Sequence, residues 1–387
     1  MKNSKTNERF LYRLAIVADY KEECWPSMDR VAESLLRELS QVENIYIELI
    51  RPKMVRIFSI LPKFRTNNTA FNLDRFLNRF FFYPLKLFKV RSKFDIFHII
   101  DHSYSHLVHV LSPNISIITC HDIDAFMCLI KPKMDDRNLP FRLMTKVILS
   151  GFKKASWIHC VSRSTLDDLL RNRLAEESLT SVCHNGVDDT FFTSSEEISA
   201  PSTLTLIHVG STIPRKCIKF LLKVLAGLVE KIPELRLIRV GANLTNDQLF
   251  LARSLGVDKF IHHYTNVSDE TLRRLVSQST LMLFPSKSEG FGLPLLESMA
   301  SGTPVLCSDI PVLREVGSDS AEYAIVEDLD DWINKACSLL DEAIRQNELW
   351  QNRRNMCRLH AKNYSWAKTA EHCLNTYRRY FPENKVL

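Results

Sequence analysis

The chain has 387 residues, 45% hydrophobic and 25% charged, which is the composition of a soluble globular protein with the length for two domains. Its net charge is +6, and no apolar run approaches the ~18 residues that a membrane-spanning helix needs. These values argue against an integral membrane protein, and no motif supports nucleic-acid binding.

The 10 cysteines are scattered along the chain, and no CxxC pair occurs among them. Several, such as Cys120, Cys160 and Cys307, lie inside apolar runs. Cysteines of this kind are small buried hydrophobes of a reducing compartment. We therefore expect a cytoplasmic protein without a structural zinc site.

Short apolar runs alternate with helix-period segments in the N-terminal half. The runs predict six strands, at 14–20, 44–50, 94–100, 115–122, 157–162 and 179–188. Helical patterns between them include 28–41 and 163–174. Because such runs between helices are typical of parallel strands buried on both faces, this half predicts a doubly wound sheet.

The segment 51–93 has an unusual charge, with eleven Lys or Arg residues against one acid, Asp74, and nine aromatic residues. Four of the aromatics form one run, 80–83. Two interpretations stay open: a surface for anionic lipid, or a solvated basic helix with a buried aromatic face. The first would place the protein peripherally on the inner face of the membrane.

A polar stretch, 193–203, ends in a proline-containing turn and predicts a linker. After it the alternation restarts, with strands predicted at 204–210, 235–242, 259–264, 280–286 and 304–309. The predicted fold is therefore α/β, with two Rossmann-like doubly wound domains facing a cleft. The predicted boundaries are an N-terminal domain at 1–192, the linker, a C-terminal domain at 204–365 and a final helix at 366–387.

Ligands of open α/β sheets bind beyond the carboxyl ends of the strands, so the residues there are candidates for the site. After the strand 204–210, Pro214 suits a first helical position, which predicts Arg215 and Lys216 in the first turn of a helix. Two cations are unfavourable at that end of a helix dipole. A bound diphosphate would compensate them, whereas the alternative is that both side chains extend into solvent.

After the strand 280–286 come three of the chain's 10 glycines and two glutamates, in SEGFGLPLLESMASGTPV. Pro294 predicts a helix start and Gly302 its end, so the other two glycines lie in the entering loop. Glycines there bring backbone amides close to a ligand, and carboxylates suit the hydroxyls of a sugar or ribose. Glu289 has no local explanation, whereas Glu297 is also favourable as an acid in a first helical turn.

In the N-terminal half, His121 ends a predicted strand and either faces the same cleft or bonds to a loop carbonyl. Asp122 and Asp124 form a D-x-D, a spacing that binds divalent metal in some sugar-nucleotide enzymes of a different fold. We expect no metal there.

Together these motifs resemble the retaining glycosyltransferases of family 4, which have the GT-B fold. The matching pieces are HVGSTIPRK, FPSKSEGFGLPLLESMASGTPVLCSD, CVSRST, CHNGVD and NYSWAKTAEHCLNTYRRYF. The family's two glutamates are separated by seven residues, as Glu289 and Glu297 are. The resemblance is strongest over about 204–317 and diffuse elsewhere.

The resemblance implies a role for each matching residue. Glu289, near the anomeric carbon of the donor sugar, and His121, on the N-terminal side of that sugar, would be the catalytic pair. The donor-binding residues would be Gly210, Arg215, Lys216, Gly290, Phe291, Gly292, Leu293 and Glu297. Among these, the two cations would clamp the diphosphate and Glu297 would hold the ribose diol.

The family also implies the chemistry: a hexosyltransferase-type enzyme that uses a nucleotide sugar, retains the anomeric configuration and needs no metal or cofactor. The leaving phosphate would assist deprotonation of a carbohydrate or lipid-linked acceptor. The helix 366–387 would cross back onto the N-terminal domain. One departure is that 19–36 contains no glycine, where many family members carry a Gly-Gly loop. Trp25 and Ser27 are therefore candidates for an acceptor pocket instead.

Two other functions remain open: a GT-B sugar-nucleotide epimerase and a non-catalytic GT-B binding module. The glutamate pair argues against the first, and the intact set of four charged site residues argues against the second. The donor's base and sugar, the acceptor, the linkage and the oligomeric state are left open by the sequence.

Overall fold

The computed structural model describes residues 12–60, 68–111, 115–192 and 204–380, which form two compact units. The first unit comprises the chain up to His184 together with the segment from Trp366 onward. The second comprises Asn185–Ser365.

The first unit contains a parallel sheet of six strands in the order β2-β1-β3-β4-β5-β6. The strands are β1 Tyr12–Val17, β2 Ile45–Ile50, β3 Ile96–Ile99, β4 Ser116–Cys120, β5 Trp157–Cys160 and β6 Thr180–Val182. The helices are α1 Pro26–Leu39, α2 Asn68–Leu77, α3 Tyr83–Val90, α4 Asp124–Ile130, α5 Leu139–Phe152 and α6 Arg163–Arg171. All six predicted strands are confirmed.

The second unit contains another parallel six-stranded sheet, in the order β12-β11-β10-β7-β8-β9. Its strands are β7 Thr205–Val209, β8 Arg236–Val240, β9 Ile261–Tyr264, β10 Leu281–Phe284, β11 Val305–Ser308 and β12 Glu322–Ala324. Its helices are α7 Ile218–Lys231, α8 Asn246–Ser254, α9 Asp269–Ser277, α10 Leu293–Ala300, α11 Pro311–Gly317, α12 Leu329–Arg345 and α13 Asn347–Ala361. The sequence missed β12, because a three-residue edge strand gives no recognisable apolar run.

Successive residues of the first sheet enter different cores, as the two-residue period of a strand requires. Val17 and Ile99 join a core with α3, α5 and α6, whereas Leu14 and Ile16 join one with α1 and the last helix. That last helix, α14 (Trp366–Arg378), buries one face in the first unit, with Trp366, Ala370, Cys373, Leu374 and Tyr377 in its core.

The structure moves one predicted boundary. Residues 185–192, predicted to end the N-terminal domain, group with the second unit. There the Val187 amide donates to the Tyr364 carbonyl at 3.1 Å, and Phe191 is buried. The predicted linker lies outside the described residues.

Each sheet has a point where the chain reverses its direction of strand addition. In the second sheet this point lies between β7 and β10, and in the first it lies between β1 and β3. The loops that leave two neighbouring strands there run in opposite directions and leave room for a ligand. The fold thus confirms the predicted pair of doubly wound α/β sheets and directs attention to these two edges.

Candidate functional site

The loop after β7 differs from the prediction at its cations. Pro214–Lys216 form a single 3-10 turn, and Cys217 then adopts a left-handed conformation with φ +53°. The left-handed residue interrupts the helical path, so α7 begins only at Ile218. Arg215 and Lys216 therefore precede the helix rather than occupying its first turn.

Glu289 joins the two loops at the switch point of the second sheet. One of its carboxylate oxygens lies 3.1 Å from Arg215 Nη1 and the other lies 2.5 Å from Lys216 Nζ. Two further hydrogen bonds join the loops. The Lys287 amide donates to the Arg215 carbonyl and the Arg215 guanidinium donates to the Ser288 carbonyl, both at 2.9 Å. The cluster holds two cations against one carboxylate and keeps a charge of +1, which suits an anion.

The glycine-rich loop leads into α10 as predicted. Gly292 has a left-handed φ of +98° and immediately precedes the helix, and a Cβ on it would lie 3.0 Å from a methyl of Leu313. Gly302, with φ +71°, follows its end. The predicted contact residues Gly290, Phe291 and Leu293 lie around Gly292 and are buried. The positive end of the α10 dipole thus lies at the same edge as the cations.

Glu297 lies about one turn into α10, so the alternative explanation, an acid in the first helical turn, does not apply to it. It is the fifth residue of α10, past the first turn, and is 3% exposed. A favourable interaction with the helix dipole therefore does not account for it. Its predicted contact with a ribose stays a prediction.

Three buried polar side chains near this edge have no hydrogen-bond partner, which the sequence did not single out. They are His208 (through both ring nitrogens), Ser286 and Ser308. His208 lies beside the site, since a Cβ on Gly210 would be 3.3 Å from its ring and 3.7 Å from the Lys216 side chain. Burial and the neighbouring Arg239 and Lys216 lower the pKa of His208, so its imidazole is neutral. Buried groups without partners are rare in folded proteins, so these three are candidates for contact with a polar ligand.

The backbone of Gly210 is fixed by its surroundings. Its amide donates to the Val240 carbonyl at 3.0 Å, and its own carbonyl accepts from the buried Arg239 guanidinium at 3.1 Å. Gly241, with φ +140°, packs so closely that a Cβ there would lie 1.9 Å from the Gly210 oxygen. The predicted donor residue Gly210 is thus held rigidly at the start of the loop.

The switch point of the first sheet holds a buried acid pair that the sequence analysis did not identify. Asp19 follows β1, is 3% exposed, and accepts no hydrogen bond on either carboxylate oxygen, although its side chain is hydrogen-bonded to that of Asp101. Burial and the negative charge of Asp101, which follows β3, raise the pKa of Asp19 well above its ordinary value. Burial opposes ionisation of Asp101 as well, but His102, His121 and Ser103 outweigh it and lower the pKa of Asp101 to about 2. The pair therefore combines a neutral, proton-donating acid with a carboxylate.

Arg79 is the buried cation that interacts electrostatically with this acid pair. Its guanidinium donates to the Ser103 carbonyl at 2.6 Å, lies 3.6 Å from a Glu23 oxygen and sits 4.2 Å above the Tyr104 ring. The side chain is buried rather than on the surface, contrary to the expectation for the basic segment. The aspartates that end two strand runs could have been recognised from the sequence, but Arg79 was hidden among ten other cations.

The structure does not test His121 as a catalytic residue. Its Nε2 lies 2.8 Å from the Ile100 carbonyl, the contact that the alternative interpretation predicted. Burial lowers its pKa, so the ring is neutral and donates through Nε2. The D-x-D is likewise engaged within the chain, because Asp122 accepts from the Asp124 amide and Asp124 pairs with Arg137 at 3.2 Å.

Trp25 and Ser27, the acceptor candidates, are exposed at the start of α1. Trp25 is 48% exposed, so its ring is available to a ligand. Their role in acceptor binding stays a prediction.

The basic segment folds into α2, a π-helical turn at Asn78–Phe82 and α3. Tyr83 is fully buried and donates to the carbonyls of Ala18 and Ile50, at 2.8 and 2.7 Å. Phe80 also packs against the core, as the solvated-helix interpretation required. Arg75 is paired with Glu23 at 3.1 Å. For Phe80 and Tyr83 the structure therefore agrees with the second interpretation, a buried aromatic face.

Other apolar side chains of the same segment are exposed. They are Val55, Ile57, Phe58, Ile60, Leu73, Phe76, Phe81, Leu85 and Phe88. Within the described part of the segment, which leaves out 61–67, the exposed cations are Lys53, Arg56, Lys86, Lys89, Arg91 and Lys93. Among the described helices, none is both long and apolar enough to cross a bilayer.

A buried acid fixes the apolar loop of this surface. Asp74 accepts from the amides of Ile57, Phe58 and Ser59, each at 2.9 Å. Asn78, one turn further along, bonds to the backbone of Val55 in both directions. Burial acts against ionisation of Asp74, but the hydroxyl of Ser59 and these amides outweigh it and lower its pKa to about 2. The loop is thus clamped to the helix with its apolar side chains outward.

Comparison with known proteins gives a consistent result. The model of the family Glycosyl transferases group 1 matches residues 192–356. The chain is 27% identical over 227 residues to the O-antigen chain mannosyltransferase RfbU of Salmonella typhimurium, covering 56% of this chain and 58% of that one. It is 28% identical over 275 residues to the O-antigen chain mannosyltransferase B of Escherichia coli, covering 68% and 70%.

Among solved structures, the chain is similar to Anabaena HepE in complex with UDP and glucose. The TM-score is 0.70 at 14% identity, over 95% of this chain and 99% of that one. This likeness shows a shared fold. The sequence matches are shorter, and the matched part spans about half the length of most of the curated relatives.

Proposed function

The chain carries the glycosyl transferases group 1 region on a GT-B fold, and from this premise we propose that it is a metal-independent, retaining glycosyltransferase that uses a nucleotide sugar. The observation that carries the proposal is the cluster of Arg215, Lys216 and Glu289 at the β7/β10 switch point. Its net positive charge and the adjacent α10 N-terminus suit a diphosphate.

On the donor side, the diphosphate binds to Lys216 and Arg215 and draws them from Glu289. The freed carboxylate then accepts hydrogen bonds from hydroxyls of the transferred sugar. Glu297 binds the ribose diol, while the amides of Phe291, Gly292 and Leu293 contact sugar and phosphate. His208, Ser286 and Ser308 supply further polar groups, since each has unused hydrogen-bonding capacity.

On the acceptor side, the β1/β3 switch point supplies Asp19 and Asp101, with His121 nearby. A neutral acid donates a hydrogen bond and a carboxylate accepts one, so the pair suits a hydroxyl-bearing acceptor. The names of the two mannosyltransferase relatives support a glycan or lipid-linked acceptor. The leaving phosphate takes the acceptor proton, so no dedicated protein base is assigned.

The exposed apolar and cationic side chains of 53–93 bind the protein reversibly to an anionic membrane surface. Each cation near an anionic leaflet contributes about 1 kcal/mol, so three or four of the six contribute roughly 3–4 kcal/mol. Because Asp74 and Asn78 already fix the apolar loop, little conformational entropy is lost on insertion. Lipid is the occupant that fits both the charge and the apolar side chains, and it is where a lipid-linked acceptor resides.

The direct test is to incubate the full-length chain with UDP-, GDP- and ADP-sugars and follow donor hydrolysis. A glycosyltransferase releases free sugar slowly from one donor, with the anomeric configuration preserved in the first-formed product. Turnover should not change when Mg²⁺ or Mn²⁺ is added. Interconversion of two sugar nucleotides would instead assign an epimerase, and binding without any turnover would assign a non-catalytic module.

A further inference from the structure

Three potential metal ligands converge in the first unit, and none of them has been assigned a role above. The ligand atoms of His159, Cys183 and His372 all lie within 4.8 Å of one another. They come from β5, from the residue after β6 and from α14. Within the described part of the chain, no other group of three His, Cys, Asp or Glu side chains is this close.

One nitrogen in this cluster lacks a partner. His159 is fully buried, and its Nε2 makes no hydrogen bond. Its other nitrogen lies 3.0 Å from Ser181 Oγ, which also lies 3.0 Å from His372 Nε2 and accepts from Trp157 Nε1. Ser181 therefore orients both imidazoles, in the way that outer-shell groups orient metal ligands.

The chemistry of the set is specific. Imidazole nitrogen and thiolate sulfur are ligand atoms that zinc binds in proteins. A second thiol, Cys373, lies with its Sγ 3.8 Å from Cys183 Sγ. Two imidazoles with one or two thiolates form a ligand set preferred by zinc.

We propose that His159, Cys183 and His372 bind one zinc ion, which fastens α14 to β5 and β6, with the fourth position open to Cys373 or to water. Binding replaces the Cys183 S–H bond by an S–Zn bond and releases one proton to solvent, and ligation by Cys373 in the fourth position releases a second proton in the same way. A tetrahedral zinc needs ligand atoms about 3.5 Å apart, so side-chain rotations of roughly 1 Å complete the site. The role is structural and independent of the proposed glycosyl transfer.

Nothing in the sequence indicated this site, and the cysteine pattern led us to expect no structural zinc. The three ligands lie at positions 159, 183 and 372, so none of the short spacings of zinc motifs is present. Only the return of α14 to the first sheet brings them together.

Cobalt(II) provides the sharpest test, because a thiolate ligand gives an intense charge-transfer band that surface histidines do not give. We expect the full-length, metal-stripped protein to take up one Co²⁺ with this band, and one equivalent of Zn²⁺ to displace it. Cys183→Ser should weaken and shift the band, Cys183→Ser combined with Cys373→Ser should remove it, and His372→Gln should weaken Zn²⁺ binding at least tenfold. The matched control, Cys337→Ser in α12, should have none of these effects.

Thermal unfolding supplies a second readout. Free Zn²⁺ at 100 times its Kd should raise the Tm of the first unit by roughly 5–10 °C, and His372→Gln should abolish the increase. A Co²⁺ spectrum that is the same in wild type and Cys183→Ser would overturn the proposal. So would oxidation that consumes the thiols of Cys183 and Cys373 as a disulfide without any prior metal uptake.

Discussion

Lys216 and Glu289, 73 positions apart in the chain, form a buried ion pair at the switch point of the second sheet. The pair explains how two cations persist next to a helix start: the acid balances one of them until an anion arrives. In the proposed function, donor binding therefore exchanges the partners of Lys216 and Arg215, because neither cation is vacant beforehand.

Replacing Lys216 with Ala should weaken binding of a nucleoside diphosphate about tenfold to a hundredfold. A charge-assisted hydrogen bond contributes roughly 1.5–3 kcal/mol, which corresponds to that range. Calorimetry with UDP and GDP would measure it. The matched control is Lys219→Ala, an exposed cation in the first turn of α7 that pairs with Asp247. Equal affinity of the Lys216 variant and wild type would show that Lys216 does not bind the diphosphate.

The two glutamates should respond differently to the same substitution. Glu289→Gln should lower turnover at least tenfold while leaving nucleoside diphosphate affinity equal or tighter, because it releases Arg215 and Lys216. Glu297→Gln should weaken nucleotide affinity by losing a charged acceptor for the ribose. Calorimetry combined with donor-hydrolysis rates separates these effects, and an equal loss of affinity in both variants would contradict the assignment.

Gly241→Ala should destabilise the second unit by more than about 2 kcal/mol, because its Cβ would lie 1.9 Å from the Gly210 carbonyl oxygen. Gly256→Ala is the matched control, since Gly256 also has positive φ but has no atom within 4 Å of the added carbon. Gly256→Ala should lower the free energy of unfolding by about 1 kcal/mol, from backbone strain alone. Urea unfolding of both variants measures the loss in free energy of unfolding. Similar losses in the two variants would show that the Gly210 loop moves to accommodate the added carbon.

Asp19→Asn should change how stability depends on pH. The folded-state pKa of Asp19 is raised, so its contribution is fully present below the unfolded pKa of about 3.9 and is lost as pH rises towards the folded pKa. The Asn variant lacks this loss, so its free energy of unfolding should increase relative to that of wild type as pH rises above about 4. Urea unfolding at pH 4.5, 6 and 8 would show the widening difference, whereas a constant offset would contradict it.

Asp74→Asn is a control, because the stabilisation from Asp74 depends on pH in the opposite direction from that of Asp19. The pKa of Asp74 is lowered to about 2, so its stabilisation is present above pH ~3.9 and disappears only as pH falls towards 2. The variant should be less stable than wild type by about 2–3 kcal/mol throughout the neutral range, because the amides lose a charged acceptor.

The membrane proposal predicts that the protein sediments with anionic liposomes, not with neutral ones, and is released by salt. Changing Lys86, Lys89, Arg91 and Lys93 to Ser should abolish sedimentation and leave donor hydrolysis unchanged. The matched control changes four exposed cations of the second unit, Lys223, Lys231, Arg253 and Lys259. Sedimentation that is equal with both lipids, or absent with both, would contradict the proposal.

Period and strand-end arguments predicted eleven of the twelve strands, because buried parallel strands are continuous apolar runs that end at polar loops. The same logic located Arg215, Lys216 and Glu289. It could not show that these side chains bond to one another, since the register between β7 and β10 is a tertiary property. The placement of Arg215 and Lys216 in a helical turn failed because nothing in the sequence marks Cys217 as left-handed.

The burial of individual side chains was the other property that the sequence could not predict. Arg79 and Lys86 look alike in a basic segment, yet one supports a buried acid pair and the other faces solvent. His208 was part of a recognised motif, but its lack of partners became visible only in three dimensions. Groups whose roles depend on what surrounds them, such as Asp19, cannot be assigned from residue type alone.

The return of α14 to the first unit has a consequence for biosynthesis. A ribosome makes Trp366–Arg378 after the whole of the second unit, yet these residues complete the core that Leu14 and Ile16 began. The second unit is therefore the first to have its whole sequence available, while the earlier-made sheet waits with one apolar face uncovered. We expect nascent chains arrested shortly before residue 366 to be protease-resistant in the second unit and to engage chaperones through the first.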